Sequence, residues 1–170
     1  MHFNIARSLV QNTQILELTS QEMHDDAISR FCALGPKTMN DKEALSLPPS
    51  LQPTKLQKAT VHHPWFDIIP VAKMRDNLIS AGETFDDGQL CRALRGLQSD
   101  RPGKTGVIVW LDSWDPSGCE LTENFARDWG WTIAHCYSLF ESTNHWRSLR
   151  GERPLFCTRT GRIFHYEDSS

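Results

Sequence analysis

The sequence predicts a mainly α fold, one helical domain of about five or six helices with a minor extended or β element. Three observations carry this. Apolar residues recur at three- and four-residue steps through most of the chain, the period of a helix with one buried face. Helix start and stop signals punctuate those runs. The one clear β signal is short, the β-branched run Val107-Ile108-Val109. The chain has 170 residues, and at ~100–200 residues per domain this makes residues 1–170 a single domain.

The elements follow in order. Phe3, Ala6, Val10, Thr13 and Leu16 mark the apolar side of a first helix. Thr19-Ser20-Gln21-Glu22 has the form of a capping box, and Met23, Ala27 and Phe31 extend an apolar face behind it until Gly35-Pro36. Residues 35–53 carry Pro, Ser, Asn, Asp and Lys with few large apolar side chains and read as a surface loop. Pro64 suits the first turn of a short helix, because its missing N–H is not needed there. Val71, Met74, Leu78 and Ala81 stripe the next helix, with Gly82 placed as its C-terminal cap. Asp86 or Asp87 starts another, with Leu90, Leu94 and Leu97 on its buried side. Residues 106–111 read as a buried strand. Ser117 and Glu120 form a further capping box, and one long helix follows: Phe125, Trp129, Ile133, Cys136, Phe140 and Thr143 share a face out to Gly151, with Gly130 as a bend. Residues 156–170 form a C-terminal tail or small hairpin.

Composition narrows the function classes. Hydrophobic residues are 39% and charged residues 23%, the balance of a folded rather than disordered chain. The net charge of −3 argues against direct nucleic-acid binding, which usually shows a basic excess. No apolar run reaches the ~18 residues of a membrane span, and no secretory leader is expected at Met1-His2-Phe3-Asn4. The five cysteines (Cys32, Cys91, Cys119, Cys136 and Cys157) are odd in number and form no C-x-x-C pair. They read as reduced thiols of a cytoplasmic protein, or a nuclear one if its role is regulatory.

Several motifs fail on a missing member. Gly103-Lys104-Thr105 ends like a phosphate-binding loop, but Gln98 stands where the first glycine belongs. Asn144, Ser148 and Glu152 stand four apart like one metal triad of terpene cyclases, but the companion aspartate-rich motif is absent. His62, His63 and Asp67 lack a third ligand at a recognisable spacing, so no metal is expected. No nucleotide or flavin signature appears, so no cofactor is expected either.

What remains is a concentration of tryptophan beside polar groups. Six tryptophans in a chain of this size are unusual. Trp110, Asp112 and Trp114 crowd the strand-to-loop junction, Trp131, Asn144 and Trp146 lie on the helix behind it, and His62, His63, Trp65, Asp67 and Arg75 lie on the earlier pair of elements. Such a mixture suits either an apolar ligand pocket with a few orienting hydrogen bonds or a Trp-rich core with loops pinned by ion pairs.

These blocks also resemble a known family. His2-Phe3-Asn4-Ile5-Ala6-Arg7-Ser8-Leu9, Leu51-Gln52-Pro53-Thr54, His62-His63-Pro64-Trp65-Phe66-Asp67, Met74-Arg75-Asp76-Asn77-Leu78, Trp114-Asp115-Pro116-Ser117-Gly118 and Ser142-Thr143-Asn144-His145-Trp146-Arg147 are similar, in that order, to the domain of unknown function at the C-terminus of many fungal bZIP-type transcription factors. The similarity spans about residues 2–155. This chain departs from it in carrying no basic region and no zipper, in having Cys119 where the family often has tryptophan, and in having Phe66 where an aliphatic residue is usual.

Two functions are expected from this combination. The first is a cofactor-independent enzyme of fungal secondary metabolism, a cyclase or isomerase acting on a hydrophobic small molecule, with a pericyclic [4+2] closure within its reach. His63, Asp67 and Arg75 are then the catalytic polar groups, and His62, Trp65, Trp110, Asp112, Trp114, Trp131, Asn144 and Trp146 contact the ligand. The second is a regulatory or ligand-sensing module that does not touch DNA and works through a homodimer or a protein partner.

Overall fold

Two residues of strand precede the first helix. The structure, a computed structural model, describes residues 3–35, 37–95 and 106–164. Strand β1 (Phe3–Asn4) pairs antiparallel with β2 (Val107–Val109), which pairs antiparallel with β3 (Cys119–Leu121). The sheet order is β1-β2-β3, in the register Phe3 to Val109 and Val107 to Leu121. Seven α-helices are present among the described residues: α1 (Ile5–Ile15), α2 (Asp41–Ser46), α3 (Lys55–Ala59), α4 (Ala72–Ala81), α5 (Asp87–Arg95), α6 (Glu123–Asp128) and α7 (Tyr137–Ser148). The expected mainly α fold with a minor β element is therefore observed.

The first helix buries a different face from the one expected. Ile5, Ser8, Asn12 and then Leu16 point inward, while Val10 is 59% exposed. Asn12 explains the rotation. Its side-chain amide donates to Ile68 O and Ser113 O, both at 2.9 Å, and so ties two loops to the helix. An amide that closes two buried carbonyls competes successfully with an alkyl stripe, because an orphaned carbonyl costs about 1–3 kcal/mol.

Capping signals were legible, but helix lengths were not. The Thr19–Glu22 capping box forms, yet it caps only a 3-10 turn at Ser20–Met23. Ala27 and Phe31 then lie in irregular chain held by Ser29, whose N–H donates to His62 O. The expected surface loop at residues 35–53 instead contains α2, capped by Asn40, and a 3-10 turn at Pro49–Leu51 whose Leu51 is fully buried. Pro64 does open a short turn, Pro64–Phe66. Gly82 ends α4 with φ +57°, a conformation that glycine adopts without penalty. Asp86 caps α5 by accepting from Gln89 N at 2.8 Å. Leu97 and the Gly103-Lys104-Thr105 segment lie outside the described residues.

The single long helix expected after Ser117 is a strand and three short helical pieces. Asp115, not Ser117, caps the turn at Pro116–Gly118, and Glu120 lies within β3. Thr122 then caps α6, a 3-10 turn follows at Gly130–Ile133, and α7 begins only after His135 has taken φ +61°. The apolar spacing stays in phase across these breaks, so periodicity alone could not register them. At the chain end, Cys157 N donates to Arg162 O and Phe164 N to Leu155 O, each at 2.8 Å, which closes the small hairpin expected there.

One core fills the space between the sheet, α1 and α4–α7, with Leu78, Leu90, Val109, Leu121, Phe125, Leu139 and Phe156 at its centre. A smaller apolar cluster of Leu16, Phe31, Leu51 and Ile68 lies under the loops before α3. α7 covers β3: Thr143 Oγ1 accepts from Leu121 N at 3.1 Å, and Ser142 Oγ donates to Cys119 O.

Candidate functional site

The polar residues before and within α4 converge, but on backbone rather than on open space. Arg75 is completely buried. Its Nε donates to Gln57 Oε1 at 2.9 Å, its Nη1 to Ser50 O and Ile69 O at 2.7 Å each, and its Nη2 to Gln52 O at 2.8 Å. Burial lowers its pKa to about 10, so it remains a cation at neutral pH. The opposite charge is Asp67. Its Oδ2 accepts from Ser29 Oγ at 2.5 Å, and its Oδ1 faces Gln57 Nε2 at 2.7 Å and His62 Nε2 at 2.9 Å. The other nitrogen of His62, Nδ1, lies 2.7 Å from Thr60 O. Gln57 thus relays between a carboxylate and a guanidinium that do not touch. The result is a hub that ties residues 29, 50, 52, 60 and 69 to α3 and α4.

His63 stands outside this hub. Its Nδ1 accepts from Trp65 N at 3.1 Å, and its Nε2 lies 2.9 Å from His24 O. Of the residues expected to be catalytic, Asp67 and Arg75 are sealed from solvent and His63 caps a turn. None of the three lines the cavities described below.

The tryptophans do not gather around one pocket, which corrects that expectation. Trp65 packs on the main core with Phe66 edge-on to it, at 4.5 Å between ring centroids. Trp114 packs on the smaller cluster, and its carbonyl accepts from Ser50 Oγ. Trp131 is exposed, edge-on to Phe85 at 5.0 Å. Trp110 and Trp146 stack at 5.2 Å, with the Arg150 guanidinium 5.4 Å above the Trp110 ring. Both indoles find acceptors, Trp110 in Glu120 Oε2 and Trp146 in Ser117 O, each at 2.8 Å. Arg150 grips the buried Glu120 carboxylate through Nη1 at 2.9 Å and Nη2 at 2.5 Å. The rings scatter because they pack on different parts of the molecule, Trp65 on the main core, Trp114 on the smaller cluster and Trp110 with Trp146 over Glu120. Asn144 is likewise committed. Its Oδ1 accepts from Leu155 N at 2.8 Å and Phe156 N at 3.0 Å, and its Nδ2 donates to Phe156 O at 2.7 Å. Asp112 and Trp114 lie on an open depression of about 420 Å³ beside Gln11, Gln14 and Ser113.

A groove that the sequence reading missed lies at the other end of α7. It measures about 650 Å³ and runs between the Gly130–Ile133 turn, α7 and the C-terminal hairpin. Ile133, Phe140 and Phe156, themselves buried in the core, back the groove, Ile163 is half-buried at its side, and His135, Thr160 and Arg162 form its polar edge. Phe140 and Phe156 stack at 4.4 Å. One wall is set by Asn77, whose amide donates to Thr132 O and Ala134 O at 2.9 Å each. The opposite wall is the hairpin, held to α7 by Asn144. Gly161 takes φ +70° in the hairpin turn, and a Cβ there would stand 2.7 Å from Phe140 Cε2. The Thr160-Gly161 pair is the one local sign of this wall in the sequence. The groove itself joins residues 126–140 to residues 156–163 and has no linear signature. A second groove of about 610 Å³, between the end of α1 and α2, mixes Glu17, Arg30, Lys37 and Glu43.

Among the described residues, no group of three or more His, Cys, Asp or Glu could hold a metal ion, and no helix is long and apolar enough to cross a membrane. The family model of a domain of unknown function (DUF3425) matches residues 36–138. No curated protein and no solved structure matches the chain.

Proposed function

The chain belongs to the DUF3425 family, a domain of unknown function, and from that premise we propose that it binds a largely apolar small molecule in the groove beneath its C-terminal hairpin. The observation that carries this is the groove itself, whose volume of about 650 Å³ and apolar walls with a polar edge suit a metabolite-sized ligand. The reading extends to the chemistry expected from the sequence, a cofactor-independent cyclisation or isomerisation of secondary metabolism, with a [4+2] closure as its simplest form. Such a reaction asks the protein mainly for shape. Holding the reacting atoms together can supply roughly 7–11 kcal/mol in favourable cases. A donor on a substrate carbonyl adds to this where charge develops, and His135 or Arg162 is placed for that role. The catalytic assignment thereby moves away from His63, Asp67 and Arg75. With five free cysteines among the described residues, a reducing compartment such as the cytoplasm suits the chain.

A second reading is binding without turnover, as in a ligand-sensing regulatory module. The commitment of Asp67, His62 and Arg75 to internal hydrogen bonds favours it, since it leaves His135 as the one acid–base side chain among the groove's described lining residues. One experiment separates the two. Neighbouring biosynthetic genes are expressed from constitutive promoters in a heterologous host, without the chain, with it, and with an Ile163→Trp variant that fills the groove. A product that appears with the chain and is lost in the variant supports catalysis. An unchanged metabolite profile, with the accumulated intermediate still binding the purified protein, supports sensing. No binding by the purified protein sinks both.

A further inference from the structure

The hydrogen bonds of the buried hub close only with one proton beyond those of a neutral histidine. His62 Nδ1 lies 2.7 Å from Thr60 O, and a carbonyl only accepts, so Nδ1 carries a proton. Nε2 lies 2.9 Å from Asp67 Oδ1, with the two side chains 1% and 2% exposed. Gln57 has no freedom to turn its amide and relieve that contact. Its Oε1 accepts from Thr54 N at 3.0 Å and from Arg75 Nε at 2.9 Å, which leaves its Nε2 to donate to Asp67. A neutral imidazole has a single N–H. With that N–H spent on Thr60, Nε2 and Oδ1 would meet as two lone pairs in a dry interior, an arrangement that costs free energy on both sides.

The contact therefore contains a second ring proton. Asp67 is the anion of the pair. Ser29 Oγ accepts from Phe31 N and donates to Asp67 Oδ2, while Gln57 donates to Oδ1, as suits an acceptor-only carboxylate. The surrounding charges agree. Among the described residues, an ionised His62 and Arg75 are two cations, and Asp67 and Asp76 are two anions that both act on Arg75. The Phe66 ring lies parallel to the imidazole at 6.4 Å and adds no charge. The same residues fasten the segment before α2. Ser29 N donates to His62 O at 2.9 Å, Ala33 N to Lys58 O at 3.0 Å and Met39 N to Arg30 O at 2.7 Å. Arg30 and Met39 in turn line the second groove.

We propose that His62 carries both ring protons in the folded protein, and that the Nε2 proton is a latch which fixes residues 29–33 and the adjoining wall of the second groove. The latch is closed while the proton is held and opens as rising pH passes it to solvent. The bare Nε2 then faces the carboxylate, so the ring leaves Asp67 and draws His62 O away from Ser29 N.

The test uses the isotope-labelled full chain, with histidine ring nitrogens and backbone amides read by NMR. His62 is identified by the ring signals missing from His62→Gln. At neutral pH both its ring nitrogens are expected in the N–H form, and one bare nitrogen there overturns the proposal. As the pH is raised, the bare form of Nε2 is expected to appear, and the Ser29 and Ala33 amide signals to shift with the same midpoint. Amides that stay in place while Nε2 loses its proton, or until the whole chain unfolds, overturn the latch. His62→Gln sets a donor that does not titrate before Asp67, and is expected to abolish the shift at Ser29. A shift that persists in this variant overturns the latch as well. The ring nitrogens and amides of the unaltered protein decide the matter alone if the variant does not fold.

Discussion

Replacing Arg75 with methionine is the sharpest test of the claim that the buried polar hub serves architecture. The guanidinium satisfies four acceptors: Gln57 Oε1 and Ile69 O in the interior, and Ser50 O and Gln52 O nearer the surface. Methionine fills much of the same volume and satisfies none. Each buried acceptor left alone costs about 1–3 kcal/mol, while the two outer carbonyls can recruit water. Gln57, which Arg75 and Asp67 share, also loses one of its side-chain partners. A loss of about 4 kcal/mol is therefore expected, a large part of the ~5–15 kcal/mol that holds a domain together. With a urea m-value of about 2 kcal/mol/M, the unfolding midpoint should fall by about 2 M, followed by tryptophan fluorescence. Arg75→Lys should fall between the two, since a single ammonium cannot reach four separated acceptors. The reasoning is refuted if Arg75→Met unfolds within about 0.5 kcal/mol of the parent. Loss of ligand binding or turnover at unchanged stability would return Arg75 to a chemical role.

Other predictions follow from the same geometry. Gly161→Ala places a side chain at φ +70° against Phe140, and should cost about 1–2 kcal/mol, a fall in Tm of about 3–6 °C. An unchanged Tm would contradict the turn geometry. Iodoacetamide at neutral pH should label Cys157 first, because Thr160 and nearby backbone N–H groups stabilise its thiolate. Burial pushes Cys119 and Cys136 up to about 12, so both should stay unlabelled until the protein unfolds, as peptide mass mapping will show. Glu22 is held down to about 2 from its ordinary 4.5, chiefly by the Thr19 N–H, then by Lys37 and the Thr19 hydroxyl. Because the folded value is the lower one, its contribution to stability is whole above about 4.5 and fades as pH falls through about 2. A carboxyl NMR titration should find that midpoint, and Thr19→Ala should raise it.

Local chemistry was legible at several points among the described residues, though not at Ser117–Glu120 or in residues 35–53. The Thr19–Glu22 box, the Pro64 turn and the Gly82 cap all depend on residues within a few positions of one another. What these motifs stabilise is decided within one or two turns of backbone, so composition and spacing suffice. Helix length was less legible. From Phe125 to Thr143 the apolar spacing stays in step, and the breaks at Trp129 and His135 arise where Asn77 captures Thr132 O and Ala134 O from another helix. An expected catalytic cluster at His63, Asp67 and Arg75 could not be told from a structural one by residue type. The same groups that orient a substrate also close backbone carbonyls, and only the direction each side chain takes separates the two.

The sequence alone determined that this is a mainly helical chain with a minor extended element, that the Thr19–Glu22, Pro64 and Gly82 signals punctuate it, and that it resembles a bZIP-associated domain. Those features come from local backbone preferences and from runs of residues that need no distant partner. Tertiary structure alone decided which face of α1 is buried, that Asp67 and Arg75 meet through Gln57, that the tryptophans disperse, and that a groove opens between α7 and the C-terminal hairpin. Each of these depends on atoms far apart in the chain, where an unpaired buried donor, acceptor or charge outweighs the weaker preference of any one segment.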